Sequence, residues 1–198
     1  MTSGQSPQLI LASQSPRRRQ LLTEAGYSFQ VSPPDESAEC GICSRETPPE
    51  MVARLAFQKS QNVAARFTEG IVLGCDTVAE CQGRILGKPR HREHAQEMLT
   101  FLRGREHRVI SGVCLWKLPE DRHLTETDVT LLRMHPIDDQ QLEEYLESDL
   151  WIGKAGAFGY QDRTGWLEII EGSESNVVGL PLELLAKMLR QFPTPSGW

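Results

Sequence analysis

The chain has 198 residues, of which 39% are hydrophobic and 24% are charged, and its formal net charge is −6. These values are typical of a globular protein with one domain, or with two lobes that share one core. The acidic balance excludes a general nucleic-acid binder with a broad basic face.

We therefore predict a single domain over residues 1–198, with flexible ends at residues 1–8 and 193–198. No apolar run approaches the roughly 20 residues that a membrane-spanning helix needs. The N-terminus has neither the basic region nor the apolar region of a secretory signal. We expect a cytoplasmic protein that contacts neither membrane nor nucleic acid.

The first third of the chain predicts a strand–helix–strand unit followed by a long helix. Ser15 is suited to an N-cap, since a proline follows at the first helical position. Thr47 opens a capping box with a proline directly after it. The predicted elements are a strand at Leu9–Ala12, a helix at Pro16–Ala25, a strand at Tyr27–Ser32 and a helix from Pro48 to about Arg66.

The rest of the chain mixes strands, hairpins and helices. The apolar run Ile71–Cys75 is typical of a buried central strand, and we expect it to end at Asp76. The order of elements indicates an α/β or α+β domain with a mixed, partly antiparallel sheet. The other predicted elements are a hairpin at Val78–Leu86, helices at Arg92–Leu102 and Asp138–Glu147, strands at Arg108–Trp116, Thr125–Met134, Trp166–Ile170 and Val177–Leu180, and a last helix beginning at Pro181.

Three consecutive arginines stand at the start of the first predicted helix, where the helix dipole disfavours cations. At about 100° per residue, Arg17 and Arg18 fall on the apolar side of this helix and Arg19 points away. A helix start that follows a strand is a ready anion site, and the arginine fork suits phosphate oxygens. The competing interpretation is a surface helix whose arginines pair with nearby carboxylates.

Two more charged residues occupy unusual places. Lys59 falls within the apolar stripe of the second predicted helix, so it either extends along the edge of the core or reaches into a site. Asp76 follows the buried strand, a position typical of metal ligands and catalytic bases, although a turn aspartate is the alternative.

Other motifs carry weaker signals. The sequence GRILGKP around Lys88 resembles a Walker A loop but has the wrong glycine spacing and a proline in place of the metal-binding hydroxyl, so we reject that interpretation. Cys40 and Cys43 form a C-x-x-C pair without a suitably spaced second pair. The alternatives are that the pair binds a metal or acts in redox chemistry, or that both are loop cysteines without a function.

Glu36 stands on a polar loop. Together with the arginines, lysines and Asp76, it could hold a polyphosphate with a divalent metal.

These motifs together resemble the Maf family of nucleoside triphosphate pyrophosphatases. The matching segments are LASQSPRRRQLL, LAFQKS, GCDTV, LGKP, KAGAFGYQ and VVGLPLE, which run in the order of the family from Leu9 to Glu183. The resemblance implies a mixed α/β fold like that of inosine triphosphate pyrophosphatases, with two lobes flanking a central cleft. It also implies a homodimer and hydrolysis between the α and β phosphates, with a divalent metal, usually Mg²⁺ and alternatively Mn²⁺ or Co²⁺.

The resemblance also assigns residues to roles. Asp76 would be the general base, and Glu36 and Asp76 would hold the metal. Lys59 and Lys88 would act in catalysis on the phosphates. The residues that would bind substrate are Ser13, Ser15, Arg17, Arg18, Thr77 and Gln161.

Three of these residues bear on the choice of substrate. Arg17, Thr77 and Gln161 match the branch of the family that resembles dTTP/UTP pyrophosphatases, and an amide offers both a donor and an acceptor to a pyrimidine edge. The chain departs from the usual family pattern at Gly153, where an aspartate is common, and at Asp162, where a glycine is common. The alternatives are a 7-methyl-GTP pyrophosphatase and a nucleotide-binding regulator of cell division.

Overall fold

The computed structural model describes residues 8–38, 45–162 and 164–192. The predicted flexible ends, apart from residue 8, and the pair Cys40 and Cys43 lie outside these ranges. The strands are β1 (Leu9–Ala12), β2 (Phe29–Val31), β3 (Gly70–Cys81), β4 (Arg84–Leu86), β5 (Glu106–Leu118), β6 (Arg122–Met134) and β7 (Leu167–Glu171). The α-helices are α1 (Pro16–Glu24), α2 (Pro48–Ala64), α3 (Arg92–Leu102), α4 (Asp139–Glu147), α5 (Glu174–Val178) and α6 (Leu182–Leu189).

The seven strands form one mixed sheet in the order β2-β1-β3-β5-β6-β7, with β4 paired to β3. Strand β1 runs parallel to both β2 and β3. The pairs β3–β4 and β6–β7 are antiparallel. The mixed α/β class predicted from the sequence is therefore confirmed. None of the helices in the described ranges combines the length and apolar character that a membrane span requires.

The chain divides into two compact units, and three strands contain residues of both. The first unit comprises Met1–Asp76, Ser111–Asp128 and Gly179–Trp198, and the second comprises Thr77–Ile110 and Val129–Val178. Each unit has its own buried apolar clusters, so burial of apolar surface stabilises each of them. The predicted single domain with a cleft between two lobes stays a prediction.

In the first unit, helix α2 lies unusually close to two central strands. A Cβ atom at Gly74 of β3 would collide with Ala56 O and Ser60 Oγ of α2. At Gly112 of β5, it would collide with the backbone at Val52. Only glycine leaves room for such contact between backbones. These two glycines therefore set the distance of α2 from the sheet.

In the second unit, a buried histidine lies in the apolar core. His107 on β5 is 2% exposed and contacts the ring of Phe158 edge-to-face at a centroid distance of 5.0 Å. Burial lowers the pKa of His107 from its ordinary value of 6.5 to about 4. The imidazole is therefore neutral at pH 7 and serves as part of the core.

Two local predictions from the sequence are wrong. Strand β3 does not end at Asp76 but continues to Cys81, since no glycine or proline interrupts the chain between these residues. The segment Val177–Leu180 is not a strand, because Glu174–Val178 forms the short helix α5. Ser173 Oγ accepts a hydrogen bond from Asn176 N at 3.3 Å at the start of this helix, which favours the helical turn.

The substitution Gly112→Ala tests the close contact of α2 with the sheet. Because the added methyl group would collide with the helix backbone, we expect the free energy of unfolding to fall by about 1–3 kcal/mol. Urea denaturation measures this value. The matched control is Gly87→Ala, where the new Cβ meets nothing within 4 Å. Equal stability of the two variants would contradict the packing described.

The buried imidazole predicts a specific dependence of stability on pH. The folded pKa lies below the unfolded value, so stability present above pH 6.5 is lost as the pH falls towards about 4. The contribution from His107 amounts to roughly 3 kcal/mol. We expect His107→Phe to remove this part of the pH dependence in urea unfolding at pH 7 and pH 4. The control His135→Phe, at an exposed histidine, should retain this part of the pH dependence. An unchanged pH dependence in His107→Phe would refute its assignment to the buried imidazole.

Candidate active site

The centre of the candidate site is an ion pair between α2 and β3 in the first unit. Lys59 Nζ donates to Asp76 Oδ1 at 2.6 Å. The lysine side chain is 8% exposed and the aspartate side chain 14% exposed. Asp76 Oδ2 accepts no hydrogen bond from the described residues. The pair therefore fixes the carboxylate while one of its oxygens stays available to a water molecule or a cation.

Two features explain this ion pair: the alternation of side chains between the two faces of β3, and the close contact of α2 with β3 at Gly74. Side chains two residues apart on a strand share a face, so Asp76 lies on the face where Gly74 meets Ala56 and Ser60 of α2. Lys59 precedes Ser60 on that helix. The lysine side chain therefore ends at the Asp76 carboxylate, and its role in a functional site stays a prediction.

Arg18 of α1 is hydrogen-bonded to the end of β1 and to the backbone in the middle of β3. Its Nε donates to Gly179 O at 2.8 Å, and its Nη1 donates to Cys75 O at 2.8 Å and to Ser13 Oγ at 3.2 Å. Ser13 directly follows β1, and Cys75 directly precedes Asp76. The guanidinium therefore cross-links the segment after β1, the segment before α6 and the backbone of β3 beside the carboxylate.

The start of α1 supports the same cluster. Ser15 is the N-cap: its Oγ accepts from Arg18 N at 3.5 Å, and its own N–H donates to Ser13 Oγ at 3.2 Å. Arg17 and Arg18 are half-buried and Arg19 is exposed, which confirms the separation predicted from the helical wheel. The first unit thus brings Ser13, Ser15, Arg18, Lys59 and Asp76 into one connected cluster.

The acidic residues available to a metal are few. Within the described ranges, no group of three or more His, Cys, Asp and Glu side chains could hold an ion. Mg²⁺ in phosphate-handling sites takes one or two carboxylates and completes its shell with phosphate oxygens and water. The open oxygen of Asp76 fits this requirement, whereas a site formed wholly by protein ligands does not fit the described residues.

Glu36 lies in a one-turn 3-10 helix, Glu36–Ala38, with an exposed side chain. The neighbouring carboxylate, Asp35, is already engaged, since Asn62 donates to it and Arg66 pairs with it at 2.8 Å. The hydrogen bond from Asn62 and the positive charge of Arg66 lower the pKa of Asp35. Of these two adjacent carboxylates, Glu36 is therefore the better candidate, and its role as a metal ligand stays a prediction.

The second unit holds the remaining predicted residues. Thr77 follows Asp76 on β3 and is half-buried, whereas Lys88 lies exposed in the turn after β4 and Gln161 is exposed in the 3-10 turn Tyr160–Asp162. Gly156 N donates to Gly87 O at 3.0 Å. This hydrogen bond joins the segment that contains Gln161 to the turn that contains Lys88.

The second unit also contains a cluster of buried charged side chains that sequence reasoning missed. Both carboxylate oxygens of Asp162 accept hydrogen bonds from Lys154 Nζ, and Tyr145 Oη donates to Asp162 Oδ2 at 2.6 Å. The lysine and aspartate side chains are 6% and 5% exposed. The available signal was a lysine and an aspartate eight residues apart in a glycine-rich segment. This segment contains no long helix or strand, so the sequence spacing alone does not predict that the two side chains meet.

Comparison with known structures defines the class of the fold. The chain has the fold of the HAM1 protein from Coxiella burnetii, with a TM-score of 0.50, 17% identity, and coverage of 93% of this chain and 99% of that one. At this identity, the likeness concerns the fold alone.

Comparison of sequences defines the family. The family model described as Maf-like protein matches residues 8–192. A dTTP/UTP pyrophosphatase from Rhodopirellula baltica is 59% identical over 93% of this chain and 82% of its own length. Another from Carboxydothermus hydrogenoformans is 40% identical over 93% of this chain and 98% of its own length. The chain belongs to the Maf family, as the resemblance of its motifs predicted.

The substitution Arg18→Lys tests the cross-link formed by the guanidinium. A lysine cannot serve three acceptors in this planar arrangement, so the carbonyls of Cys75 and Gly179 would lose hydrogen bonds from the guanidinium. We expect the free energy of unfolding to fall by about 1–3 kcal/mol, measured by urea denaturation. The control Arg19→Lys, on the exposed side of α1, should change it by less than about 0.5 kcal/mol. Equal effects at the two positions would contradict the role described for Arg18.

Proposed function

We propose that this protein hydrolyses the pyrimidine nucleotides dTTP and UTP to the monophosphate and pyrophosphate. The single observation that carries this proposal is the buried pair of Lys59 and Asp76, with one carboxylate oxygen open and Arg18 hydrogen-bonded beside it. The proposal gains support from the relatives at 59% and 40% identity, which are dTTP/UTP pyrophosphatases. The proposed role in the cell is the removal of excess or non-standard pyrimidine nucleotides.

Asp76 is the general base in this proposal. Its open oxygen accepts a proton from a water molecule as the water oxygen attacks the α-phosphorus. The bond between the α-phosphorus and the bridging oxygen breaks, and pyrophosphate leaves with the bonding electrons. Lys59 orients the carboxylate through Oδ1, so that Oδ2 faces the water. Positioning and electrostatic stabilisation dominate phosphoryl transfer, which is consistent with the few groups required.

The cationic residues bind the triphosphate. Arg17 and Arg18 stand at the start of α1, where the helix dipole also favours an anion. Ser13 and Ser15 offer hydroxyl donors in the same segment. A bound triphosphate offsets the repulsion between these neighbouring cations, which explains why they stand at the positive end of a helix. Lys88 is assigned to the phosphates by the family resemblance.

A divalent cation, most simply Mg²⁺, completes the proposed site. Asp76 would hold it, with Glu36 as the second carboxylate, and when bound it supplies positive charge to the phosphate oxygens. Mn²⁺ or Co²⁺ are substitutes of similar coordination. Thr77 and Gln161, assigned by the resemblance, would contact the nucleotide, and the Gln161 amide matches the donor and acceptor edge of a pyrimidine. The predicted homodimer and the cytoplasmic location stay predictions.

A screen for pyrophosphate release tests the proposed reaction. The purified chain is incubated with Mg²⁺ and each common nucleoside triphosphate, with 7-methyl-GTP added to the set. We expect release of pyrophosphate and monophosphate from dTTP and UTP ahead of the purine nucleotides. Preference for 7-methyl-GTP would place the chain in that branch of the family. No release from any triphosphate would instead favour a nucleotide-binding regulator.

The substitution Asp76→Asn tests the proposed base. The amide keeps an oxygen to accept from Lys59 but cannot take a proton from water. We expect kcat for dTTP to fall roughly 10²- to 10⁴-fold, with folding and nucleotide binding retained in circular dichroism and calorimetry. The control is Asp139→Asn, at a carboxylate that is 88% exposed on α4. Normal turnover of Asp76→Asn would remove Asp76 from the mechanism.

A further inference from the structure

The buried charge cluster of the second unit links a helix to a glycine-rich segment. Lys154 begins this segment, Asp162 ends it, and Tyr145 belongs to α4. The lysine pairs with both oxygens of the aspartate, and the tyrosine hydroxyl donates to one of them at 2.6 Å. The ion pair therefore ties the two ends of the segment together, and the hydroxyl fixes that closure to α4.

The cluster lies directly against Gln161. A Cβ atom built at Gly159 would lie 2.7 Å from Gln161 Nε2 and 2.8 Å from Lys154 Nζ. The amide and the ammonium thus occupy the space beside one glycine, and Asp162 is the next residue after Gln161. The ion pair therefore holds the backbone directly next to Gln161.

The backbone of the segment has little freedom to absorb such a change. Ala157 N donates to Lys154 O at 3.1 Å, and Asp162 N donates to Gly159 O at 3.1 Å. Ala157 has a positive φ of 65°, which a residue with a Cβ adopts at a cost. The ion pair joins the residues at the two ends of this segment.

The ion pair also needs both of its members. A charged group that is about nine-tenths buried or more is strongly unfavourable when its partner is removed. The carboxylate that pairs with Lys154 in the structure is that of Asp162.

We propose that Asp162, through its ion pair with Lys154 and its hydrogen bond from Tyr145, is a positioning residue that sets the selectivity of the site for pyrimidine nucleotides. The proposal rests on the proposed function, since it concerns how Gln161 meets the base. Asp162 does not touch the substrate. It holds the neighbouring amide in the orientation that reads the pyrimidine edge, and it leaves the attack on the α-phosphorus to Asp76.

The test compares two variants of Asp162 and its partner. Asp162→Asn keeps the size of the side chain and removes its charge, and Tyr145→Phe keeps the ion pair and removes one hydrogen bond. For each variant, kcat and KM are measured with UTP, dTTP, CTP and GTP by pyrophosphate release. Hydrogen exchange of the backbone amides of residues 155–162 is measured on the same samples without nucleotide. The matched control is Glu120→Gln, which removes a charge from a carboxylate that is 50% exposed and pairs with Lys117.

We expect Asp162→Asn to raise KM for UTP and dTTP and to lower the ratio of kcat/KM for UTP over GTP by roughly 10- to 100-fold, because a displacement of about 1 Å has effects of this size. The kcat at saturation should fall much less than KM rises. Tyr145→Phe should shift the same ratio in the same direction by a smaller factor. Exchange in residues 155–162 should accelerate in both variants and stay unchanged in Glu120→Gln.

Two outcomes separate this proposal from the proposed function. A wild-type chain that releases pyrophosphate selectively, with an unchanged selectivity ratio in both variants, would overturn the role of Asp162 and leave the hydrolase intact. A wild-type chain that releases no pyrophosphate would overturn the proposed function itself. Unchanged hydrogen exchange in the variants would overturn the positioning role in either case. If Asp162→Asn does not fold, Tyr145→Phe alone decides between these outcomes.

Discussion

The contact of helix α2 with strands β3 and β5 is the constraint on which the candidate site depends. Gly74 and Gly112 allow the helix backbone to approach the sheet where any other residue would collide with it. At that distance, Lys59 reaches Asp76 and fixes its carboxylate at 2.6 Å. Two residues without side chains therefore determine the geometry of the two residues that carry the proposed chemistry.

The charged side chains of Arg18, Lys154 and Asp162 form hydrogen bonds and ion pairs with other groups of the protein. Arg18 directs three hydrogen bonds to the backbone and to Ser13, and these contacts hold the backbone of β3 next to Asp76. Lys154 and Asp162 do the same for the segment that contains Gln161. Buried hydrogen-bonded charges of this kind fix positions more than they add stability. Such preorganisation is what catalysis by positioning requires.

The sequence predicted regular elements well and irregular ones poorly. Caps at Ser15 and Thr47 and the apolar run of β3 are local signals, so the first helices and the central strand were found within a few residues. The short apolar segment at Val177–Leu180 was misassigned as a strand, because a run of four apolar residues fits a helix as well as a strand. The serine that caps the helix, Ser173, lies before this run. The Lys59–Asp76 pair was accessible as two anomalies, but their meeting depends on Gly74. The Lys154–Asp162 pair depends on loop geometry that no sequence period encodes.

In the proposed reaction, Lys59 acts through Asp76. A double-mutant cycle with Lys59→Gln, Asp76→Asn and the double variant, measured as kcat/KM for dTTP, distinguishes this role from an independent one. We expect strong non-additivity: the double variant should be about as slow as Asp76→Asn alone, since the lysine has no orienting role once the base is gone. Additive losses at the two positions would refute the coupling and would give Lys59 an independent role on the phosphates.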